Sequence, residues 1–424
     1  MNYVRISKIC LLLALPACKS TEAATSGTDA TETTDDTPTS DDPSDDDDDD
    51  DSPNTNDDND DDDSPSTDDD TDTDPSDSDD DDSADATGGS SDWPAPDPAQ
   101  DVSVVAFDGE HMYWTSDADS HREADIEVEF PGAGDGYSAT ILELGVRCPD
   151  GGCDYWDRYG SIAIVQNPGS DDQRIVEIAR FVTPYRVEGA WSIDVSHLRP
   201  LLTGTLTLRL TVDTWVGPGS EPDFDQGAGW LVDARFDMTG GVASPRPVAV
   251  IPIYTRRSYV VGDPEQPVID AVPAVEVDVP AGIDSASLVS LITGHGQGNA
   301  ENCAEFCQDN HGYLLGGQTA IMETIWRTDC DNNPIADQIG NWSQSRAGWC
   351  PGADVLPWSA DITDAATPGE RMSIEYAVSP YENTCRPGAA ECVGCSLFTS
   401  CEFDGSNHTE PHVRMSTVLV GWVD

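Results

Sequence analysis

The chain has 424 residues, of which 82 are Asp or Glu and only 20 Lys or Arg, for a formal net charge of −62. An acid excess of that size repels phosphates and anionic surfaces, so nucleic-acid binding and membrane binding through a basic patch are excluded. The charge is uneven: 32 acids fall between Thr21 and Asp92, and residues 93–424, with 17 arginines and no lysine, still carry about −33.

Arg5 and Lys8 precede a short apolar run that ends in Leu15-Pro16-Ala17-Cys18. A basic start, a brief hydrophobic stretch and small residues before a cleavage point read as a secretory signal over residues 1–17, too short to span a bilayer. Leu-x-Ala-Cys resembles a bacterial lipobox, which predicts Cys18 as a lipidated first residue; plain signal cleavage is the competing reading. The expectation is an exported lipoprotein, anchored to a membrane of the bacterial envelope or cell surface and not spanning it.

From Cys18 to Asp92 the chain is nearly all Asp, Ser, Thr, Pro and small residues, with seven aspartates in a row from Asp45 to Asp51. Such a segment has no apolar surface to bury, so it is predicted to be a disordered, self-repelling tether. The Asp runs lack a regular calcium-loop pattern.

Of twelve cysteines, Cys10 leaves with the signal and Cys18 takes lipid. The remaining ten, in an exported chain, predict five disulfides. Cys385, Cys392, Cys395 and Cys401 lie in a Cys-rich insertion over 381–405, where three pairings are open and a structural zinc site is the alternative.

Beyond Trp93, short alternating segments recur between Gly, Pro and Asp turns, at 125–130, 140–144, 161–165 and 206–210, then at 247–251, 275–279, 287–292 and 416–420. Sustained helical periodicity is absent. The pattern predicts an all-β protein of Greek-key or jelly-roll sandwiches. The Gly240-Gly241 to Pro245-Arg246-Pro247 stretch marks the break, giving domains at 93–242 and 243–424.

The chemistry points to two tight cysteine pairs. In Cys148-x4-Cys153-Asp154-Tyr155-Trp156-Asp157-Arg158-Tyr159 a small ring aims the following side chains, and aromatic neighbours strip water from Asp157, raising its pKa toward acid–base work. An ordinary disulfide turn with a surface Asp157–Arg158 ion pair is the simpler reading of that stretch alone. The second half offers Cys303-Ala304-Glu305-Phe306-Cys307, again a carboxylate beside an aromatic residue. Further on, Arg346-Ala347-Gly348-Trp349-Cys350-Pro351-Gly352 pairs a guanidinium with an indole, a combination suited to sugars, and has Cys330 upstream as a candidate mate for Cys350.

These segments, with Arg180-Phe181-x-Thr183-Pro184-Tyr185 and Asp213-Thr214-Trp215, resemble the peptide-N-glycosidase F family in order and over about residues 95–375. The resemblance implies two side-by-side eight-stranded antiparallel jelly rolls with a cleft where they meet. It implies Asp157 as the principal catalytic carboxylate, Glu305 as the acid sharing a water with it, and Asp213 as a third carboxylate. Arg158 and Arg346 fall near the core sugars, and Trp156, Trp215 and Trp349 line the cleft. Disulfides Cys148–Cys153, Cys303–Cys307 and Cys330–Cys350 follow by the same alignment.

Three departures accompany it. Asp213 stands where the family has glutamate, one methylene longer. Gly294-His295-Gly296-Gln297 replaces Gly-Trp-Gly-His, so His295 is assigned to the substrate side against a plain loop contact. Phe306 replaces a tryptophan. The implied activity is hydrolysis of the amide between asparagine and the first N-acetylglucosamine of an N-linked glycoprotein or glycopeptide, by a monomer that needs no cofactor or metal. A non-catalytic glycan-binding lipoprotein is the main alternative. A copper monooxygenase on paired jelly rolls is a remote one, since the seven histidines include no His-x-His or His-His pair.

Overall fold

The computed structural model describes residues 93–116, 119–219, 227–296, 304–335, 337–383 and 411–424. The signal segment, Cys18, the acidic tether, Cys303 and the four cysteines of the insertion lie outside the described residues.

The first half contains β1 (Asp97–Pro98), β2 (Val102–Met112), β3 (Glu123–Phe130), β4 (Asp135–Arg147), β5 (Tyr159–Gln166), β6 (Arg174–Val182), β7 (Gly189–Asp194), β8 (Gly204–Val212) and β9 (Trp230–Gly240). The second contains β10 (Arg246–Val260), β11 (Val275–Asp278), β12 (Ser285–His295), β13 (Asn310–Leu315), β14 (Thr319–Thr324), β15 (Ala353–Asp354), β16 (Trp358–Asp361), β17 (Arg371–Val378) and β18 (His412–Val423). Each segment read as a strand from the sequence falls on one of these.

In the first sandwich β2, β9, β4 and β7 form one sheet and β3, β8, β5 and β6 the other; in the second the sheets run β10-β18-β12-β16 and β11-β17-β13-β14. Both halves thus repeat one wrap, first-eighth-third-sixth facing second-seventh-fourth-fifth, which is the jelly roll. Pairing is antiparallel except where two-residue β1 joins β4 in parallel. Another short strand, β15, leaves the second half to pair with β6 of the first.

Alternation drives each sheet. Along β9, Trp230, Val232, Ala234, Phe236 and Met238 are buried, while Asp233, Arg235 and Asp237 face outward. β5, β6, β12 and β18 break the rule and are buried on both faces. The reason is that the two sandwiches share a core: Val289, Val418 and Val420 of the second pack into the cluster of the first.

Polar ties cross that seam. Arg180 on β6 donates from Nη1 to Thr293 Oγ1 and to the Arg414 carbonyl, both at 2.8 Å. Its charge is met by Glu177, whose carboxyl also accepts from Tyr159 at 2.6 Å and is held down to about 2 mainly by Arg180, against the desolvation that raises it. A buried guanidinium is tolerable only with that counter-charge.

Candidate active site

The loops that follow β4, β6, β8, β12 and β14 bring the chemistry together. The Cys148–Cys153 disulfide closes the first of them. Beyond it Asp154 is fully buried. It takes Arg158 Nε at 2.6 Å and Nη2 at 3.2 Å, the Thr214 hydroxyl at 2.7 Å and the Trp156 backbone N–H at 3.0 Å. Arg158 is tied further, its N–H donating to Thr183 Oγ1 at 2.8 Å. With both neighbours fixed, Asp157 is presented at the turn into β5 with no pairing to Arg158.

Glu305 comes from the other sandwich. Its turn lies hard against the end of β12: a Cβ on Gly294 would stand 1.9 Å from the Ala304 carbonyl oxygen, so only glycine fits there. The Glu305 carbonyl accepts from the Ala347 N–H at 2.9 Å, which ties this turn to the Arg346 loop.

Arg346 links the two carboxyls. It donates from Nε to Glu305 Oε1 at 3.1 Å, and its Nη2 stands 3.9 Å from Asp157 Oδ2. The guanidinium is fully buried, donates to the carbonyls of Asn341 and Gln344 and to Asn341 Oδ1, and lies over the rings of Trp349 and Phe306 at 4.8 and 5.0 Å. Tyr185 completes the group, its hydroxyl placed between Asn341 Oδ1 at 2.8 Å and the Asp157 carboxyl.

Burial pushes Asp157 up to about 6, with Arg346, Tyr185 and Arg158 pulling the other way. Burial, then the Asp157 charge, pushes Glu305 up to about 7, against Arg346. Two carboxyls raised toward neutrality bracket one cation, and the charge on Asp157 raises Glu305, so their titrations are coupled. One can accept a proton while the other donates. Among the described residues no group of three His, Cys, Asp or Glu is gathered at metal-binding separation.

The other expected site residues divide. Trp156 and Trp215 are 43% and 54% exposed, open for stacking, and Trp215 carries the Arg122 guanidinium over its ring at 4.5 Å. Trp349 corrects the expectation of a cleft wall. It is 4% exposed, donates to the Gly294 carbonyl at 2.7 Å and supports Arg346 from beneath. His295 is likewise a packing residue, stacked on Trp349 and His412 and bonded to Thr293 Oγ1 at 2.8 Å. Burial first, then His412, Arg414 and Arg180, hold its imidazole neutral.

Asp213 is bound by Arg414 of β18 at 2.7 Å, and among the described residues it forms no hydrogen bond or ion pair with Asp157 or Glu305. The Cys330–Cys350 disulfide is present, and Cys307 is disulfide-bonded. Asp154, Asn341, Glu177 and Arg414 escaped the sequence reading. Asp154 alone had a local signal, standing beside Cys153 and four residues before an arginine.

Residues 267–397 match the family described as peptide-N-glycosidase F, C terminal. The chain is 29% identical over 256 residues to peptide-N(4)-(N-acetyl-beta-D-glucosaminyl)asparagine amidase F of Elizabethkingia miricola, covering 58% of this chain and 68% of that one. It superposes on PNGase F, a glycosylasparaginase from Flavobacterium meningosepticum, with TM-score 0.59 and 22% identity over 77% of this chain and 96% of that chain. With PNGF-II the TM-score is 0.55 at 16% identity, over 77% and 65%. The paired-sandwich fold and the match over residues 267–397 make the chain similar to the peptide-N-glycosidase F family.

Proposed function

We propose that the chain is an amidase that cleaves the β-amide between an asparagine side chain and the first N-acetylglucosamine of an N-linked glycan. The observation that carries this reading is the Asp157–Arg346–Glu305 arrangement, in which two carboxyls raised toward neutrality come from opposite sandwiches to one buried guanidinium. The ionised member takes a proton from water as its oxygen adds to the amide carbonyl. The protonated member gives its proton to the nitrogen as the C–N bond breaks. Aspartate remains in the peptide and the glycan leaves as a glycosylamine.

Arg346 keeps its charge throughout and favours the developing oxyanion. Arg158 has donors left over from Asp154 for sugar hydroxyls, and exposed Trp156 and Trp215 offer faces for pyranose rings. Asp213 stands outside the proton-transfer pair. On the same reading the chain is exported and tethered through Cys18.

The test is mass spectrometry of a defined N-glycopeptide incubated with the protein. Conversion of the glycosylated asparagine to aspartate, lost in Asp157→Asn, is expected. Binding of the glycopeptide without any aspartate formation would make the chain a glycan-binding protein instead.

A further inference from the structure

At the other end of β4 from the Asp157 loop, a cavity of about 250 Å³ opens between the sandwiches. We propose that it is a second binding site, for a ring-bearing monocarboxylate such as an acidic sugar. Thr140 on its wall stands eight residues before Cys148, roughly 26 Å away at strand spacing, so an occupant here does not touch Asp157. The proposal does not depend on the activity proposed above.

Two arginines line this cavity, and among the described residues neither forms an ion pair with a carboxylate. Arg246 donates from Nη2 to the Trp93 carbonyl at 2.8 Å and the Pro94 carbonyl at 3.3 Å, and its Nε and Nη1 make no hydrogen bond among the described residues. Arg199 spends Nη1 on the Leu202 carbonyl and Nη2 on the carbonyls of Gly132 and Asp135, which leaves its buried Nε without a partner. Thr140 is 1% exposed, and its Oγ1 is also buried and unpartnered. In a folded part carrying a large excess of acid, Arg147, Arg235 and Arg371 each hold a carboxylate. Arg199 has the Asp135 charge nearby, while Arg246 meets only carbonyls among the described residues, so one part-buried guanidinium is left at this cavity for an anion. Burial pulls both below the ordinary arginine range.

The chemistry of the occupant follows from the walls. A guanidinium fork matches a carboxylate, Thr140 adds a hydroxyl, and Trp93 supplies a flat apolar face for a ring, while the Tyr137 ring lies under the Arg199 guanidinium at 5.2 Å. Asp135 at the same cavity disfavours a dianion, which selects carboxylate over phosphate.

Calorimetry on the full chain tests this with glucuronate and N-acetylneuraminate as probes and neutral N-acetylglucosamine as control. Both acids are expected to bind, the neutral sugar at least tenfold more weakly. Arg246→Gln should weaken the acids at least tenfold and Thr140→Val severalfold, with hydrolysis of a neutral glycopeptide unchanged. No binding of either acid, equal binding of the neutral sugar, or full binding by Thr140→Val and Arg246→Gln would overturn the proposal. Binding that emerges only when Asp85 and Asp92, which precede Trp93, are changed to Asn would also overturn it, because the chain's own carboxylates would then hold the site.

Discussion

Arg158 gives its guanidinium to Asp154, four residues earlier, and not to its immediate neighbour Asp157. The Asp154 carboxylate is fully enclosed and also holds Thr214 and the Trp156 amide, so one buried acid fixes both the Asp157 loop and the loop after β8. Asp157 is thereby left to face Arg346 and Tyr185 across the seam.

Replacing that acid should separate positioning from folding. Asp154→Asn retains the Thr214 and Trp156 contacts and loses the charge that orders Arg158. The expected cost is about 1–3 kcal/mol of stability and roughly a hundredfold in kcat/KM, in the range of an active-site misplacement of about 1 Å. Steady-state kinetics and thermal melts check both. Unchanged kinetics with lowered stability would leave Asp154 a structural residue only.

The paired carboxyls set the pH response of the proposed reaction. With Asp157 near 6 and Glu305 near 7, kcat/KM should follow a bell whose acid limb reflects ionisation of the first and whose alkaline limb reflects loss of the shared proton. Glu305→Gln cannot lose that proton, so its residual activity should climb to a plateau with no alkaline limb. A profile measured from pH 4 to 9 decides it, and an intact alkaline limb in Glu305→Gln would remove Glu305 from the proton pathway.

The same shifts bear on stability. A carboxyl raised in the folded state favours folding while protonated, and that contribution is lost as pH rises through its folded value. For Asp157 the loss falls between about 4 and 6 and for Glu305 between about 4.5 and 7. Asp157→Asn stays neutral, so it should be no more stable than the parent at pH 4 and more stable at pH 8, by about 3 kcal/mol for a shift of about two units. Urea melts at the two pH values test the sign. A variant destabilised equally at both would mean that Asp157 is not strained by burial.

Much of this was legible beforehand because period-two alternation marks strands wherever one face meets solvent, as in β3, β4, β8 and β11. β5 and β12 gave runs of small and apolar residues that identified strands and hid the reason for them, burial on both faces. The site was legible where residues sit in short motifs with disulfides, as Asp157, Glu305 and Arg346 do. It was opaque where partners come from afar. Arg414 lies 201 residues from Asp213, and no local pattern announces that pairing. Trp349 read as a cleft wall because indole beside guanidinium suits a sugar equally well as a binding face or as a support beneath.

Asp213 is where the resemblance and the geometry pull apart. Where the resemblance implies a glutamate the chain has Asp213, whose Oδ2 accepts from Arg414 Nη1 at 2.7 Å, while the Arg414 guanidinium lies over the Tyr159 ring at 4.2 Å. The two side chains are 35% and 27% exposed, so the pair is weak, about 0.5–1 kcal/mol after screening. If its work is to join β18 to the loop after β8, Asp213→Asn and Arg414→Gln should each lower stability slightly. A double-mutant cycle should return a coupling of that size, and kcat should fall less than threefold in either variant. Asp213→Glu should also be tolerated, since a part-exposed ion pair can take up one methylene by shifting its rotamer. If Asp213→Asn instead lowers kcat a hundredfold while Arg414→Gln leaves it intact, the carboxylate acts on the reacting water, and the ion pair is only where it rests between turnovers.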